Sequence, residues 1–217
     1  MKNTKIDKVA NNLVKAFVQN KIIAPIPLKF TKSMKNAESL RRLCESKVKQ
    51  PIIGFKAGGT SIKMLKKWGI KKPFYAAVYK KNLLKSGKKV KINPYTLGAE
   101  LEVGYYIKKS FFDSKGAITA NNIHKYISYR LHSIEIAGYR QRKKGITSFG
   151  DLCSDFGANV KFLVGQKKKF KSTNIKNLKT IIYNKKIKQK ETNEKNNNTN
   201  YIISIFIIFK CLVCRNY

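Results

Sequence analysis

Gly98-Ala99-Glu100-Leu101-Glu102-Val103-Gly104-Tyr105-Tyr106 reads as a strand, and along a strand successive side chains point to opposite faces. Glu100 and Glu102 therefore share one face, and Leu101 and Val103 the other. Two carboxylates on one face repel. In a chain with 47 Lys+Arg and only 11 Asp+Glu, placing two scarce acids side by side costs free energy unless a cation or a proton sits between them. A divalent metal meets that need; two glutamates simply facing water give the same pattern, so the stretch alone leaves both readings open.

The segments around it predict a cluster of strands. Upstream, Phe74-Tyr75-Ala76-Ala77-Val78-Tyr79 reads as a strand, Leu83 to Gly87 as a turn, and Lys89-Val90-Lys91-Ile92 as a further alternating stretch. Downstream, Thr119 to Leu131 predicts a helix with Ile123, Tyr126, Ile127 and Leu131 on one stripe. His124 and His132 fall on it and near its end, where a surface or C-terminal role is favoured over metal binding. Ser133 to Arg140 follows as a strand with Glu135 on the face opposite Ile134 and Ile136. Earlier still, Pro51-Ile52-Ile53-Gly54-Phe55-Lys56-Ala57-Gly58-Gly59-Thr60-Ser61 is an apolar strand running into a glycine-rich turn. Lys56 stands at that strand's end, Gly58-Gly59 allows close approach to a ligand, and Thr60 and Ser61 offer donors to an anion. No Gly-Lys-Ser/Thr follows, so this is not a phosphate loop of the nucleotide-binding kind. With 47 of 217 residues cationic, a Lys at any chosen place is unremarkable; the apolar neighbours of Lys56 predict a depressed pKa.

Ahead of the strands come two helices and a break. Thr4 caps the first, with Asp7 near its N-terminus and Ile6, Val9, Leu13 and Phe17 at helical spacing. Pro25 and Pro27 interrupt it. The second runs from about Ser33 to Lys49, with Ala37, Leu40, Leu43 and Cys44 inward.

A chain of 217 residues suits one domain with its own core. The formal charge of +36 and pI near 10.2 would suit a polyanion. Here the excess is mostly Lys, runs end to end and accompanies abundant Asn and Ile, so no specific nucleic-acid partner is expected. Of four cysteines, only Cys211 and Cys214 have C-x-x-C spacing, without a second pair to complete a zinc pattern. Met1-Lys2-Asn3-Thr4-Lys5 has no apolar run behind it, which predicts no signal peptide and a reducing, cytoplasmic setting. After Gln166 the chain turns Lys/Asn-rich through Asn200, a composition that buries too little apolar surface to order itself. The apolar Tyr201–Val213 falls short of the ~20 residues of a membrane span, so no transmembrane segment is expected; a terminal strand, a helix or a membrane-touching tail remain open.

The ordered set Ile53-Gly54-Phe55-Lys56-Ala57-Gly58-Gly59-Thr60-Ser61, Gly69-Ile70-Lys71-Lys72-Pro73-Phe74-Tyr75, Ala99-Glu100-Leu101-Glu102, Ile134-Glu135-Ile136-Ala137 and Asp155-Phe156-Gly157-Ala158-Asn159 resembles the 2-keto-4-pentenoate hydratases of the fumarylacetoacetate hydrolase superfamily, which also holds 2-oxo-hexenedioate decarboxylases. The likeness covers roughly residues 5–166. It implies an α+β fold, a mixed β-roll or sandwich fronted by N-terminal helices (1–50), a catalytic β-rich core (51–166), and a tail (167–217) disordered or foreign to the family. It implies Mg²⁺ or Mn²⁺ held by Glu100, Glu102 and Glu135, with Lys56 catalytic and Thr60 and Ser61 near the substrate carboxylate. The implied reaction adds water to a 2-hydroxy-2,4-dienoate through an enolate that the metal stabilises as a Lewis acid. A decarboxylase would use the same stabilisation, and an inactive truncated relative with a polyanion-binding basic tail is the third reading. A homo-oligomer is implied too. Gly138-Tyr139 and Ala76-Ala77-Val78 depart from the family pattern, and the altered end fits a truncated or shifted reading frame.

Overall fold

The helix signals of the first 50 residues translate into two packed helices. The computed structural model describes residues 4–141 and 145–171, together with the backbone of 204–209. Helix α1 (Lys5–Gln19) begins where the Thr4 side chain accepts the Asp7 N–H, and ends on Asn20 in the left-handed conformation. Helix α2 (Met34–Lys47) begins with the Ser33 hydroxyl accepting from Asn36 N–H and buries Ala37, Leu40 and Cys44. Leu13 and Phe17 of α1 pack with Leu40 and Cys44 of α2 and reach Tyr79 and Phe156 beneath, which removes the apolar stripe of each helix from water.

The remainder is a curled mixed sheet. Its strands are β1 (Ile52–Gly58), β2 (Phe74–Tyr79), β3 (Leu83–Lys85), β4 (Thr96–Ile107), β5 (Ile127–Gly138), β6 (Asn159–Val164), β7 (Lys168–Lys169) and β8 (Ser204–Phe209). Short helices α3 (Ile62–Trp68) and α4 (Phe149–Ser154) interrupt them. The order is β2-β1-β8-β4-β5-β6-β3, with β7 on β5. The β4/β5 hairpin is the antiparallel spine, while β4/β8 and β3/β6 are parallel. In a flat sheet β1 and β5 would lie about 14 Å apart, three strand spacings, yet the Lys56 amine on β1 reaches Glu135 on β5 at 2.8 Å. The sheet therefore rolls, with Val78 of β2 packing on Leu131 of β5 and Phe162 of β6 inside. The outer edge of β2 is capped by side chains: Ala77 N–H donates to Glu45 Oε1 at 2.8 Å, and Asn159 Nδ2 donates to Ala77 O at 3.4 Å. This is the helix-fronted α+β roll that the sequence predicts.

Three local expectations change. Thr119 to Leu131 is not a helix: a 3-10 turn at Ile123–Tyr126 leads into β5 from Ile127. Leu131, Ser133 and Glu135 face inward while His132 and Ile134 face out, a period of two that pairing with the twelve residues of β4 enforces over the helical stripe. His132 accordingly lies exposed on a strand. Lys89–Ile92 forms no strand, because the chain turns there towards Asn93, whose N–H donates to the Thr96 hydroxyl at 3.0 Å. Leu83–Lys85, expected as a turn, instead pairs with β6. Within 167–217, Lys168–Lys169 pairs with β5 and Ser204–Phe209 lies between β1 and β4. Most of the Lys/Asn-rich stretch, 172–203, and the Cys211–Cys214 pair lie outside the described residues. Among the described residues no helix is long and apolar enough to cross a membrane.

Candidate active site

Register on the spine brings the glutamates together. Glu100 on β4 sits directly opposite Glu135 on β5, and Glu102 lies two residues along the same face, opposite Ser133. Each of the three offers a carboxylate oxygen within 4.8 Å of the others. Like charges directly across a strand pair destabilise it, and here water cannot dilute the repulsion: Glu135 is fully buried and Glu102 is 3 % exposed. One cation answers them. Lys56 Nζ lies 2.9 Å from Glu135 Oε1 and 2.8 Å from Oε2, and donates to Gly157 O at 3.1 Å. Three carboxylates thus face one ammonium, and both oxygens of Glu102 are buried without a hydrogen-bond partner.

The electrostatics follow from that imbalance. Burial, and then the nearby Glu135, pushes the Glu102 carboxyl up to about 10 in the metal-free chain. Burial raises Glu135 as well, against the pull of Lys56. For Lys56, burial alone would lower the pKa, but Glu135, Glu102 and Glu100 outweigh it and hold the amine above its ordinary value. The depression expected from apolar neighbours does not occur, because the groups at its tip are carboxylates two and three strands away in the sheet order.

The carbonyl that meets Lys56 comes from an unusual turn. Phe156, Gly157 and Ala158 all have positive φ, at 52°, 65° and 62°. Such a run is uncommon for residues with a Cβ, and its neighbours over-determine it. Asp155 accepts the Arg140 backbone N–H at 2.6 Å and the Arg140 guanidinium at 2.7 Å, while Asn159 donates to Ala77 O. A Cβ on Gly157 would stand 2.6 Å from Ala76 Cβ, so glycine is required here, and Ala76 is what packs against it. Gly157, Arg140 and Asp155 are site-shaping residues that the sequence reading left without a role. The visible signal was Asp155-Phe156-Gly157-Ala158-Asn159 itself, a glycine between an Asp and an Asn after a short helix.

Lys56, Gly59, Thr60 and Glu100 open onto a cavity of about 80 Å³ whose remaining walls are mainly apolar, including Met64, Phe74, Leu97, Phe149 and Leu152. Gly58 permits this packing, since a Cβ there would fall 2.5 Å from the Phe74 ring. Thr60 joins Glu100 and Lys56 at the cavity. Ser61 does not: its hydroxyl accepts Met64 N–H at 3.1 Å and caps α3. Chemically the cluster can hold a hard cation with oxygen ligands, and the orphaned Glu102 oxygens fit that tenant.

Neither a protein-family model nor a curated protein sequence matches the chain. Among solved structures it is similar to 4-oxalocrotonate decarboxylase from Pseudomonas putida G7 complexed with calcium and acetate, with a TM-score of 0.61, 14 % identity, and coverage of 78 % of this chain and 65 % of that one. The same enzyme complexed with magnesium and adipate matches with a TM-score of 0.59 and 15 % identity over the same shares. The likeness is one of fold, and the chain spans about two-thirds of the length of the enzyme chain it matches.

Proposed function

We propose that the chain is a metal-dependent hydratase of the 2-keto-4-pentenoate type, with Glu100, Glu102 and Glu135 as ligands to Mg²⁺ or a similar divalent cation. The observation that carries the reading is Glu102, a buried carboxyl with two unpartnered oxygens beside two further carboxylates. A carboxyl of this kind is expensive to ionise unless a cation meets it. A bound cation supplies Lewis-acid charge that polarises the keto oxygen of a 2-oxo acid. The chain's own groups do the rest. Lys56, held by Gly157 O and Glu135, is an ammonium with its proton beside the cavity, placed to protonate substrate carbon. Thr60 lies on the wall where a substrate carboxylate would enter, and the apolar walls exclude bulk water.

In the balanced reaction, 2-hydroxypenta-2,4-dienoate moves its enol proton to C5, giving a 2-oxo-3-enoate. Water then adds its oxygen to C4 and a proton to C3. A cavity lining with no cation besides Lys56, itself committed to Glu135, favours a monocarboxylate with a short uncharged tail. A dicarboxylate would leave its second charge unpaired. The decarboxylase alternative draws on the fold neighbour, whose solved complex holds adipate, a dicarboxylate. Cys44 and Cys153, buried free thiols, suit a reducing compartment such as the cytoplasm.

The test begins with chelator-treated protein. Mg²⁺ titration by calorimetry should give binding to wild type and at least tenfold weaker binding to Glu102→Gln. With Mg²⁺, wild type should exchange the C3 protons of 2-oxopentanoate for deuterium, followed by NMR. Equal Mg²⁺ binding in both proteins removes the metal site. Release of carbon dioxide from a 2-oxo dicarboxylate, without consumption of the dienoate, replaces hydratase with decarboxylase.

A further inference from the structure

The far end of the β4/β5 hairpin carries a second, chemically different cleft. Tyr106, Lys108, Lys109, Ser128, Tyr129 and Lys167 line a space of about 650 Å³, within the range of small-ligand sites. Tyr106 and Tyr129 are cross-strand partners, their rings 6.4 Å apart and at 89°. Lys167 Nζ stands 4.1 Å from the centre of the Tyr106 ring, while Tyr129 keeps 44 % of its surface in water. Lys108, Lys109 and Lys167 are exposed, and Lys168 and Lys169 of β7 extend the cationic rim alongside Arg130 and Tyr129. No acid lines the cleft. Apart from Asp113, every described Asp and Glu belongs to α1, α2, α4 and its C-cap, or the glutamate cluster.

A tyrosine 44 % exposed beside exposed ammonium groups suits a flat base joined to a phosphate. Stacking on an aromatic face does not depend on which base is offered, and lysines contact phosphate without reading sequence. We propose that this cleft binds a nucleotide unit of single-stranded nucleic acid, the base on Tyr129 and the phosphates on Lys108, Lys109 and Lys167. The site reads no base edge, so it agrees with a composition that argues against sequence-specific recognition.

Because the whole chain is strongly basic, charge alone would bind any polyanion, and the experiment has to separate stacking from charge. Fluorescence anisotropy of labelled 15-mers of dT and rU would be followed with the full chain at several salt concentrations. Tyr129→Ala should weaken binding about 5- to 150-fold with the salt slope unchanged, Tyr129→Phe should retain it, and binding of heparin, a polyanion without bases, should not respond to either. Lys108→Ala/Lys109→Ala should reduce the salt slope by about 1.4, at ~0.7 per phosphate contact on a single strand, whereas the exposed pair Lys71→Ala/Lys72→Ala should not. The dT and rU arms separate DNA from RNA; displacement by free UMP assigns the cleft to an isolated nucleotide, and its failure to displace assigns it to the strand. Wild-type binding by Tyr129→Ala, an equal loss of heparin binding, or an equal effect of the Lys71/Lys72 pair overturns the proposal.

Discussion

Two buried polar clusters share the 155–159 segment and differ in how completely they are satisfied. Around Arg140, one guanidinium meets one carboxylate: both Asp155 oxygens accept hydrogen bonds, Arg140 also donates to Asn159 O at 3.1 Å, and Phe17, Tyr95 and Phe156 stack about the guanidinium. Only Arg140 Nε lacks a partner. Around Lys56, three carboxylates face one ammonium, and both Glu102 oxygens are orphaned. The first cluster is closed and holds a turn in shape. The second, bordering a cavity, keeps capacity for something more. Burial alone does not separate scaffold from site; the count of unmet charges and acceptors does.

The comparison can be broken from its structural side first, where the largest effect is expected. Asp155→Ala leaves Arg140 buried and unpaired, a loss of about 3–5 kcal/mol. In a chain of this size that lowers Tm by roughly 6–20 °C, read by circular dichroism; an unchanged Tm would mean the closed cluster holds nothing together.

Glu102→Gln should act in the opposite sense. Metal-free protein should melt at the same temperature or higher, since an amide has no ionisation for burial to oppose, while Mg²⁺ affinity falls tenfold or more. A lower metal-free Tm with intact Mg²⁺ binding would make Glu102 scaffold.

The pH response sharpens the same contrast. Glu102 has a folded pKa raised to about 10 from 4.5, so between those values the folded chain holds more protons than the unfolded one. Stability should therefore be greatest below about pH 4.5 as far as this group goes, and decline as pH rises towards 10. Saturating Mg²⁺, which binds the ionised carboxylate, should flatten that decline in thermal melts. A metal-free profile with no contribution from Glu102, judged against Glu102→Gln, would contradict the buried, unpaired assignment.

The smallest effect belongs to Ser61. Its loss as a cap in Ser61→Ala should cost ~1 kcal/mol, about 2–4 °C in Tm, with Mg²⁺ affinity unchanged. A clear change in affinity would return Ser61 to the ligand site.

Much of the roll was legible because its signals are local. Thr4 and Ser33 announce the caps, the prolines the break, and the alternation of Glu100 and Glu102 the face they share. That Glu135 would meet them needed the register of β4 on β5, which the sequence carries only through the family likeness. The helix expected over Thr119–Leu131 failed because Ile127 and Leu131 fit a strand as well as a stripe, and the partner strand decides between them. The ionisation of Lys56 was misread for a related reason. Its sequence neighbours are apolar, but its charged end lies among carboxylates 44 to 79 positions away along the chain. Gly157 was visible only as a glycine in a motif; that its carbonyl holds the amine follows from three left-handed residues in a row.

The capped margin of β2 bears on self-association. An open strand edge invites a neighbouring molecule to extend the sheet, yet midway along β2 both main-chain groups of Ala77 are already engaged, by Glu45 from α2 and Asn159 from the start of β6. Strand addition at this point of β2 is therefore blocked, and removing Glu45 would uncover a place for it.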